Sequence, residues 1–468
     1  ISIELGFAFL DVPVPGRGEV RIGIVDMPGH EKFVRRMIAG TAGIDAVVMV
    51  VAADEGIMPQ GREHVAICEL LGVTKGLIAL TKVDLADPDL LELVEDDVAT
   101  QLDGTFLQTA PIFRFSARSI DAHRPAAMQC LSAFCGELLA TQEAQKRRPR
   151  PFRLPVDRCF SIKGRGTVVT GTAASGAVAV GDLLRVWPGE QRARIREIER
   201  HGNSTEQFAG PGRVALNLAR LGVEDVALGS VLAPDGSLVL TDRFDAHLTL
   251  LRHVSRPWKR RQNILLHIGT TQVVAAVTQL GADTLQPGDS GPVQIHVDRP
   301  IAIAPGEYFV VRGSLLDARH GQTAAGGQVL HPSPARHRLG DPHVLGALLA
   351  LGDDDVETRL TGLLQLAGER GLTVEQLRLY DRAAPTAVDK ALARAIGRSR
   401  IRKLGTQPHH FVPEAVELLK VRILGTIAKF HGTHPDSPGM ALDSLLDELA
   451  TWLPRTALSD LCAKMVRK

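Results

Sequence analysis

The stretch "VDMPGHEKF" (25–33) closes an apolar, strand-like run, "VRIGIV" (20–25), and opens a helix-like one, "EKFVRRMIAG" (31–40). Asp26 falls at the strand end, where a carboxylate holds Mg²⁺, usually through a water. Gly29 lets a backbone N–H approach a phosphate oxygen with no Cβ in the way. The helix that follows aims its positive end at the same place, and His30 is placed to orient a water toward a terminal phosphorus. The stretch reads as a sensor of the last phosphate of a nucleotide. The plainer reading is a strand–turn–helix in which Asp26 caps a helix and His30 is solvated. A sensor works beside a loop of the form GxxxxGK[ST] that cradles the other phosphates, and no such pattern occurs in the 468 residues. The chain starts at Ile1 in strand-like alternation, "ISIELGFAFL", so the cradle is expected upstream of residue 1.

Working outward, residues 1–145 alternate short apolar runs with amphipathic ones. "AVVMVVAA" (46–53), "GLIAL" (76–80) and "IFRFSA" (112–117) read as strands, and "QGREHVAICELLG" (60–72) as a helix. This pattern predicts a parallel sheet covered on both faces, with ligands at the carboxyl ends of its strands. Two further motifs sit there. In "TKVD" (81–84), Asp84 is placed to accept from N1–H and N2–H₂ of guanine, a pairing that adenine lacks, and the Lys82 stem to lie along the base. In "SAR" (116–118), the Ala117 N–H is placed to meet guanine O6. Each motif alone is also a common polar turn; their order and spacing carry the nucleotide reading.

The bulk composition bounds the rest. A length of 468 residues needs several domains. Aromatics at 4% argue against a stacking single-strand binder, and a net charge of +1 confines nucleic-acid contact to local patches. Five cysteines without paired metal spacing suit a reduced, cytoplasmic chain. No uncharged apolar run is long enough for a membrane span. The basic, Pro-containing "QKRRPRP" (145–151) reads as a linker. Beyond it, Gly-punctuated β-rich runs predict two barrels, over 152–238 and 241–333. After "HPSPARHR" (331–338), helices over 356–371, 373–380 and 386–397 followed by a short hairpin predict a winged helix over 343–412, and the pattern restarts over 413–468 without its wing. The basic Arg398, Arg400, Arg402 and Lys403 fall at the wing, where a solvated tip is the plainer reading and RNA phosphates the alternative.

Together these residues resemble the later motifs of a translational GTPase, followed by "FSIKGRGTVVTGT" (160–172), which is similar to the second-domain signature of the elongation factor Tu superfamily. Within it, "ISIELGFAF", Thr81 of "TKVD", "VDRCFSIKGRGTVVTGT", "LHIGTT" (266–271) and "HPDSPGM" (434–440) resemble the bacterial selenocysteine-specific elongation factors. The resemblance implies a multidomain fold: an α/β P-loop GTPase-type domain lacking its first strand and phosphate loop, two β-barrels and C-terminal winged-helix modules, cut at both ends. It implies GTP-dependent delivery of selenocysteyl-tRNA to the ribosome at recoded UGA codons, with hydrolysis of GTP to GDP. Ser2 and Asp26 would ligate Mg²⁺, His30 would position the water, and Thr81, Lys82, Asp84, Ser116 and Ala117 would hold the base with Gly29 at the phosphate. Asp157, Arg158 and Arg213 match the family's aminoacyl pocket, where guanidiniums facing an ionised selenol reject neutral analogues. The resemblance also implies an mRNA recoding hairpin as partner, gripped in the family by a module beyond residue 468. Weak GTP binding is expected of this chain without the cradle. Two other readings stay open at this point: another tRNA- or ribosome-binding translational GTPase, and a nucleotide-free pseudo-GTPase scaffold.

Overall fold

The computed structural model describes residues 6–27, 44–145, 150–200, 202–281, 283–312, 323–450 and 453–466. Ser2, Gly29, His30 and the helix expected over 31–40 lie outside the described residues. Strands β1 (Gly6–Val14) and β2 (Gly18–Asp26) pair antiparallel, Gly6 opposite Asp26 and Phe7 opposite Val25. Their turn carries positive φ at Gly16 and Gly18, and Arg17 N–H donates to the Val14 carbonyl at 3.0 Å. The run over 20–25 is therefore half of a hairpin, where the strand–helix alternation predicts a parallel strand. A turn this short leaves no room for the crossover that parallel neighbours need.

The parallel sheet comprises β3 (Val47–Ala52), β4 (Gly76–Thr81) and β5 (Ile112–Arg114), in that order. Helices α1 (Pro59–Leu70) and α2 (Pro88–Gln101) make the crossovers, and α3 (Ile120–Gln145) follows β5. β4 is buried from Gly76 through Leu80, as its apolar run predicts. β3 departs from expectation. Its alternate residues Val47, Met49 and Val51 pack with Ile78 and Leu80, but Val48 and Val50 are 45% and 67% exposed. Side chains alternate across a strand, and no described element covers the second face of β3.

The same helix that crosses from β3 to β4 docks this unit on the rest of the chain. Pro59 stands in the first turn of α1, where its missing N–H is harmless. At the other end Gly72, at φ +80°, turns the chain; Gly72 N–H donates to Glu69 O and Val73 N–H to Cys68 O. Ile67, Cys68, Leu70 and Val73 bury against Val310, and Glu63 Oε1 accepts from Thr323 N–H at 2.8 Å and from its hydroxyl at 3.0 Å.

Two closed six-strand rings follow. The first contains β6 (Leu154–Ile162), β7 (Gly166–Ala173), β8 (Leu183–Trp187), β9 (Arg192–Arg200), β10 (Gly212–Ala219) and β11 (Val231–Ala233). Its order is β9–β10–β7–β6–β11–β8, and β8 pairs back onto β9. The second contains β12 (Val239–Leu250), β13 (Arg261–Ile268), β14 (Thr271–Gln279), β15 (Ser290–Ile303), β16 (Tyr308–Arg312) and β17 (Thr323–His331), ordered β12–β15–β14–β13–β16–β17. Period-two alternation fills each interior, with edge-on pairs Phe152–Phe208 and Phe244–Phe309 at 6.3 and 6.0 Å between ring centres.

The C-terminal region is helical: α4 (Pro342–Gly352), α5 (Val356–Ala367), α6 (Val374–Tyr380) and α7 (Pro385–Gly397), a hairpin of β18 (Arg402–Leu404) and β19 (His409–Phe411), then α8 (Pro413–Thr433), α9 (Leu442–Leu449) and α10 (Arg455–Val466). Asp341, Asp355 and Thr373 cap the N-termini of α4, α5 and α6 with side-chain oxygens. The helix expected over 356–371 stops at Ala367, because Gly368 and Gly371 adopt positive φ around a single 3₁₀ turn. All these helices bury leucines in one core, which also takes in Leu280 and Leu330 of the second barrel. The connection through 332–341 is pinned rather than loose. His337 Nε2 lies 2.7 Å from buried Asp245 Oδ2, Gln294 donates to Ala335 O at 2.9 Å, and Gly340 N–H donates to Leu280 O at 2.8 Å.

Candidate functional site

At the carboxyl ends of β4 and β5 the backbone brings two motifs together. Phe115 N–H donates to Leu80 O at 2.8 Å, which sets Ser116 beside Asp84. The fully buried Ser116 hydroxyl donates to Asp84 Oδ1 at 2.6 Å and accepts from Arg118 N–H at 3.2 Å. The Ser116 hydroxyl holds the Asp84 carboxyl below its usual range, so at neutral pH it is an ionised, oriented acceptor. Its side chain is 25% exposed, which leaves it accessible to a ligand. Thr81 donates its hydroxyl to Val51 O at 3.2 Å, across the strand pair, and so is held on the sheet. Lys82 adopts φ +56°, and its Nζ bridges Asp54 and Glu55 at 3.1 and 3.0 Å. A left-handed backbone is costly for a side-chain-bearing residue, and here it turns the loop so that Asp84 stands over the strand end. Ala117 is exposed next to it.

Asp26, at the end of β2, is exposed, and among the described residues its carboxylate has neither a hydrogen bond nor an ion pair. A Cβ on Gly6 would lie 3.0 Å from the Asp26 Cβ, so the residue opposite this carboxylate is held small by the register. The carboxylate is thus available to a hard cation or its water shell.

The third cluster lies on the outer side of the first barrel. Register places Arg158 opposite Thr170 and Arg213 opposite Thr172. Arg213 donates to both oxygens of Asp157, one at 3.0 Å, and to Thr170 Oγ1 at 3.0 Å; the Thr170 hydroxyl donates to Asp157 Oδ1 at 2.8 Å. The Asp157 and Arg213 side chains are only 9% and 21% exposed. The Phe7 ring of β1 lies 3.6 Å from the Arg213 guanidinium carbon and 5.6 Å from that of Arg158. Two guanidiniums thus share one aromatic face, and the hairpin of the first unit closes onto the barrel through a cation–π contact. Asp157 thus fixes Arg213 beside Arg158.

Asp157, Arg158 and Arg213 come together as the sequence suggests. Thr170 and Phe7 join them with no motif of their own to mark them. Thr170 lies inside the "GRGTVVTGT" run, and its hydroxyl reaches Asp157 across an irregular register in which its backbone partner is Arg158. Phe7 carries no signal beyond being aromatic on an alternating strand. At the hairpin β18–β19 the four basic residues divide. Arg398 and Arg400 both reach the buried carboxylate of Glu357, at 3.5 and 3.1 Å, while Arg402 and Lys403 are exposed. No helix among the described residues is long and apolar enough to cross a membrane, and no three of their His, Cys, Asp or Glu side chains group to hold a metal ion.

The family model for the elongation factor Tu GTP binding domain matches residues 1–184, and that for the β-barrel domain of selenocysteine-specific elongation factor matches residues 242–336. The chain is 38% identical over 448 residues to the selenocysteine-specific elongation factor of Desulfomicrobium baculatum, covering 95% of this chain and 68% of that one. It is 31% identical over 459 residues to that of Escherichia coli K12, covering 95% and 67%. The chain thus spans about two thirds of the length of these curated relatives. In structure it is similar to a bacterial selenocysteine-specific elongation factor, with a TM-score of 0.79 at 21% identity over 100% of this chain and 72% of that one. It is similar to the apo translation elongation factor SelB of Methanococcus maripaludis, with a TM-score of 0.58 at 22% identity over 71% and 74%.

Proposed function

This chain belongs to the selenocysteine-specific elongation factors, GTPases that use a guanine nucleotide, and from that premise we propose which of its residues do the work. Asp84 reads guanine through N1–H and N2–H₂, oriented by Ser116, with Thr81, Lys82 and Ala117 completing the base site. A neutral or rotated carboxyl would lose both acceptors, which is why the Ser116 bond matters to specificity. Gly29 approaches the last phosphate and His30 orients the attacking water, a role carried over by motif from outside the described residues. The exposed carboxylate of Asp26, without a partner among the described residues, suits a Mg²⁺ held through a water, with Ser2 as a second ligand; such an ion would neutralise charge on the phosphate oxygens.

The Asp157, Arg158, Arg213 and Phe7 cluster receives the selenocysteyl end of the tRNA. A selenol is ionised at neutral pH where seryl and cysteinyl ends are largely neutral. Arg158 and Arg213 are the cations beside that charge, Arg213 held in place by Asp157. A neutral end forgoes the attraction to them, so discrimination comes from the pocket's own electrostatics. The partners are then selenocysteyl-tRNA and the ribosome, in the cytoplasm, at recoded UGA codons; the helices and hairpin over 343–412 are read as a winged helix, and the helices over 413–468 as a second one without its wing.

The observation that carries this is the convergence of two guanidiniums on one ring beside the partly buried Asp157. Binding of selenocysteyl-tRNA and seryl-tRNA to this chain, compared side by side at fixed salt, tests it. Equal affinity for the two would sink the pocket assignment.

A further inference from the structure

The fourteen residues from Lys390 to Lys403 carry six cations and no carboxylate, in a chain whose net charge is only +1. Lys390 and Arg394 lie on α7, and Arg398 stands at its C-cap. Each is one turn beyond the last, so the three form a stripe along one side of the helix. That side is the open one. Val388, Ala391, Leu392 and Ala395 bury the opposite side in the helical core, whereas Lys390, Ala393, Arg394 and Gly397 are exposed. Residues 381–384 join α6 to α7, the short turn of a helix-turn-helix pair, whose second helix is the one turned toward nucleic acid.

The arginines that follow are held in place. Ser399, between Arg398 and Arg400, adopts φ +58°, and both guanidiniums reach the buried Glu357 carboxylate in the first turn of α5. Their side chains stay 61% and 64% exposed. A guanidinium has five N–H donors, so each keeps donors for a ligand after meeting Glu357. The bordering carboxylates are engaged. Glu357 is shared by the two arginines. Asp355, near Arg394, accepts from the Thr358 N–H and hydroxyl at 2.9 and 3.0 Å. Asp389 is bidentate to Arg378 at 2.8 and 2.9 Å, and Glu375 lies beside that same arginine. The stripe therefore keeps an excess of positive charge. No large apolar side chain is exposed over 385–411, so a membrane surface finds no anchor there. No exposed aromatic ring offers the bases of a single strand a place to stack. What the surface matches is dense negative charge on a rigid outline, the backbone of a duplex. Ala393 and Gly397, between the cations, let the helix come close. An A-form duplex hides its base edges in a narrow groove and is met through its backbone and shape. The chain belongs to a family of translation factors, so the duplex is RNA.

We propose that the exposed side of α7, with the hairpin β18–β19 after it, docks on the backbone of double-stranded RNA without regard to sequence. Lys390, Arg394, Arg398 and Arg400 meet phosphates, and Arg402 and Lys403 carry the contact on along the hairpin. The surface shares no residue with the aminoacyl pocket and does not depend on that assignment.

The probe is a fluorescein-labelled blunt RNA duplex of mixed sequence and about 20 base pairs, longer than the ~16 that a double-stranded-RNA module spans. It carries no aminoacyl end, so the result is independent of the aminoacyl pocket. Fluorescence anisotropy with the full chain, at rising KCl, reads the affinity. Lys390→Glu with Arg394→Glu is expected to weaken binding about tenfold or more at ~100 mM salt and to lower the slope of log K against log salt by roughly two. Gly397→Glu is expected to weaken it as well, by a few fold. A Cβ there meets nothing within 4 Å, so this variant leaves the fold intact. Arg256→Glu with Lys259→Glu, an equal charge reversal at exposed positions beside the second barrel, is expected to leave the affinity unchanged. Equal losses from the two reversals overturn the proposal, because overall charge then accounts for binding. A salt slope indifferent to Lys390 and Arg394 overturns it too. So does poly-glutamate that displaces the duplex as well as unlabelled duplex does, which would mark a surface for acidic protein.

Discussion

Arg213→Met removes three donated hydrogen bonds and leaves Asp157 as a carboxylate only 9% exposed with no cation on it. Breaking one side of a fully buried pair costs about 3–5 kcal/mol. Arg213 is 21% exposed, so water recovers part of that, and about 2–3 kcal/mol is expected. The loss should fall on β6, β7 and β10, the strands that carry the cluster, rather than on the whole chain. Amide hydrogen exchange, followed by mass spectrometry on peptides from Leu154–Ile162 and Gly166–Ala173, reads it directly. At ~1.4 kcal/mol per factor of ten, protection there should drop roughly 30- to 150-fold. Asp157→Asn in the Arg213→Met background should restore much of it, because an amide tolerates the loss of the cation better than a carboxylate does. A double-mutant cycle should then give a coupling of about 2 kcal/mol. Single effects that add to within ~0.5 kcal/mol would refute the claim that the two side chains form one unit.

Ser116→Ala should let the Asp84 carboxyl rise toward its usual range. Its folded value is lowered, so Asp84 contributes stability above the ordinary carboxylate range and loses it as pH falls through the lowered value; a carboxyl NMR titration unchanged by the substitution would contradict this. His331 is buried against Tyr380, ring centres 5.0 Å apart, and burial brings its pKa down from 6.5 to about 3. Only the unfolded chain then gains a proton between those values, so stability is complete above the unfolded value and falls with acid, by at most about 2 kcal/mol at pH 5. His331→Leu should flatten melting temperature against pH between 7 and 5, and an unaltered slope would count against it. At Gly72 a Cβ would stand 2.6 Å from Tyr308 Cζ at φ +80°. Gly72→Val should therefore cost about 1–3 kcal/mol from overpacking, with a further ~1–2 kcal/mol from the left-handed backbone. Tyr308→Ala should relieve the first part alone, seen as a partial recovery of the melting temperature.

The motifs at the strand ends were legible because each is short and local: Thr81 to Asp84 and Ser116 act within a few residues of where the chain leaves the sheet. The barrels were legible through alternation and Gly turns. Val48 and Val50 show where such reading stops, since an apolar run tells that a strand packs but not which of its faces is covered. The β1–β2 hairpin did leave a sign in its Pro-Gly-Arg-Gly turn, but a strand-then-helix rhythm outweighed it. Phe7 and Thr170 join the Arg213 cluster through register and inter-unit packing, which composition and spacing do not encode. The shared core of barrel and helices was equally hidden, because Leu280 and Leu330 look like any barrel leucines until the helices are laid on them.

That shared core changes what the connection through 332–341 means mechanically. A tether would let the helices wander and would pass on only tension. Here Asp245, Gln294 and Leu280 hold the segment along its length, α4 rests on the barrel wall, and Tyr380 of α6 packs on His331. The 21-residue α8 extends roughly 30 Å beyond the hairpin. A load taken up along it reaches the barrel as torque, with little slack, and the barrel in turn meets α1 through Thr323 and Val310.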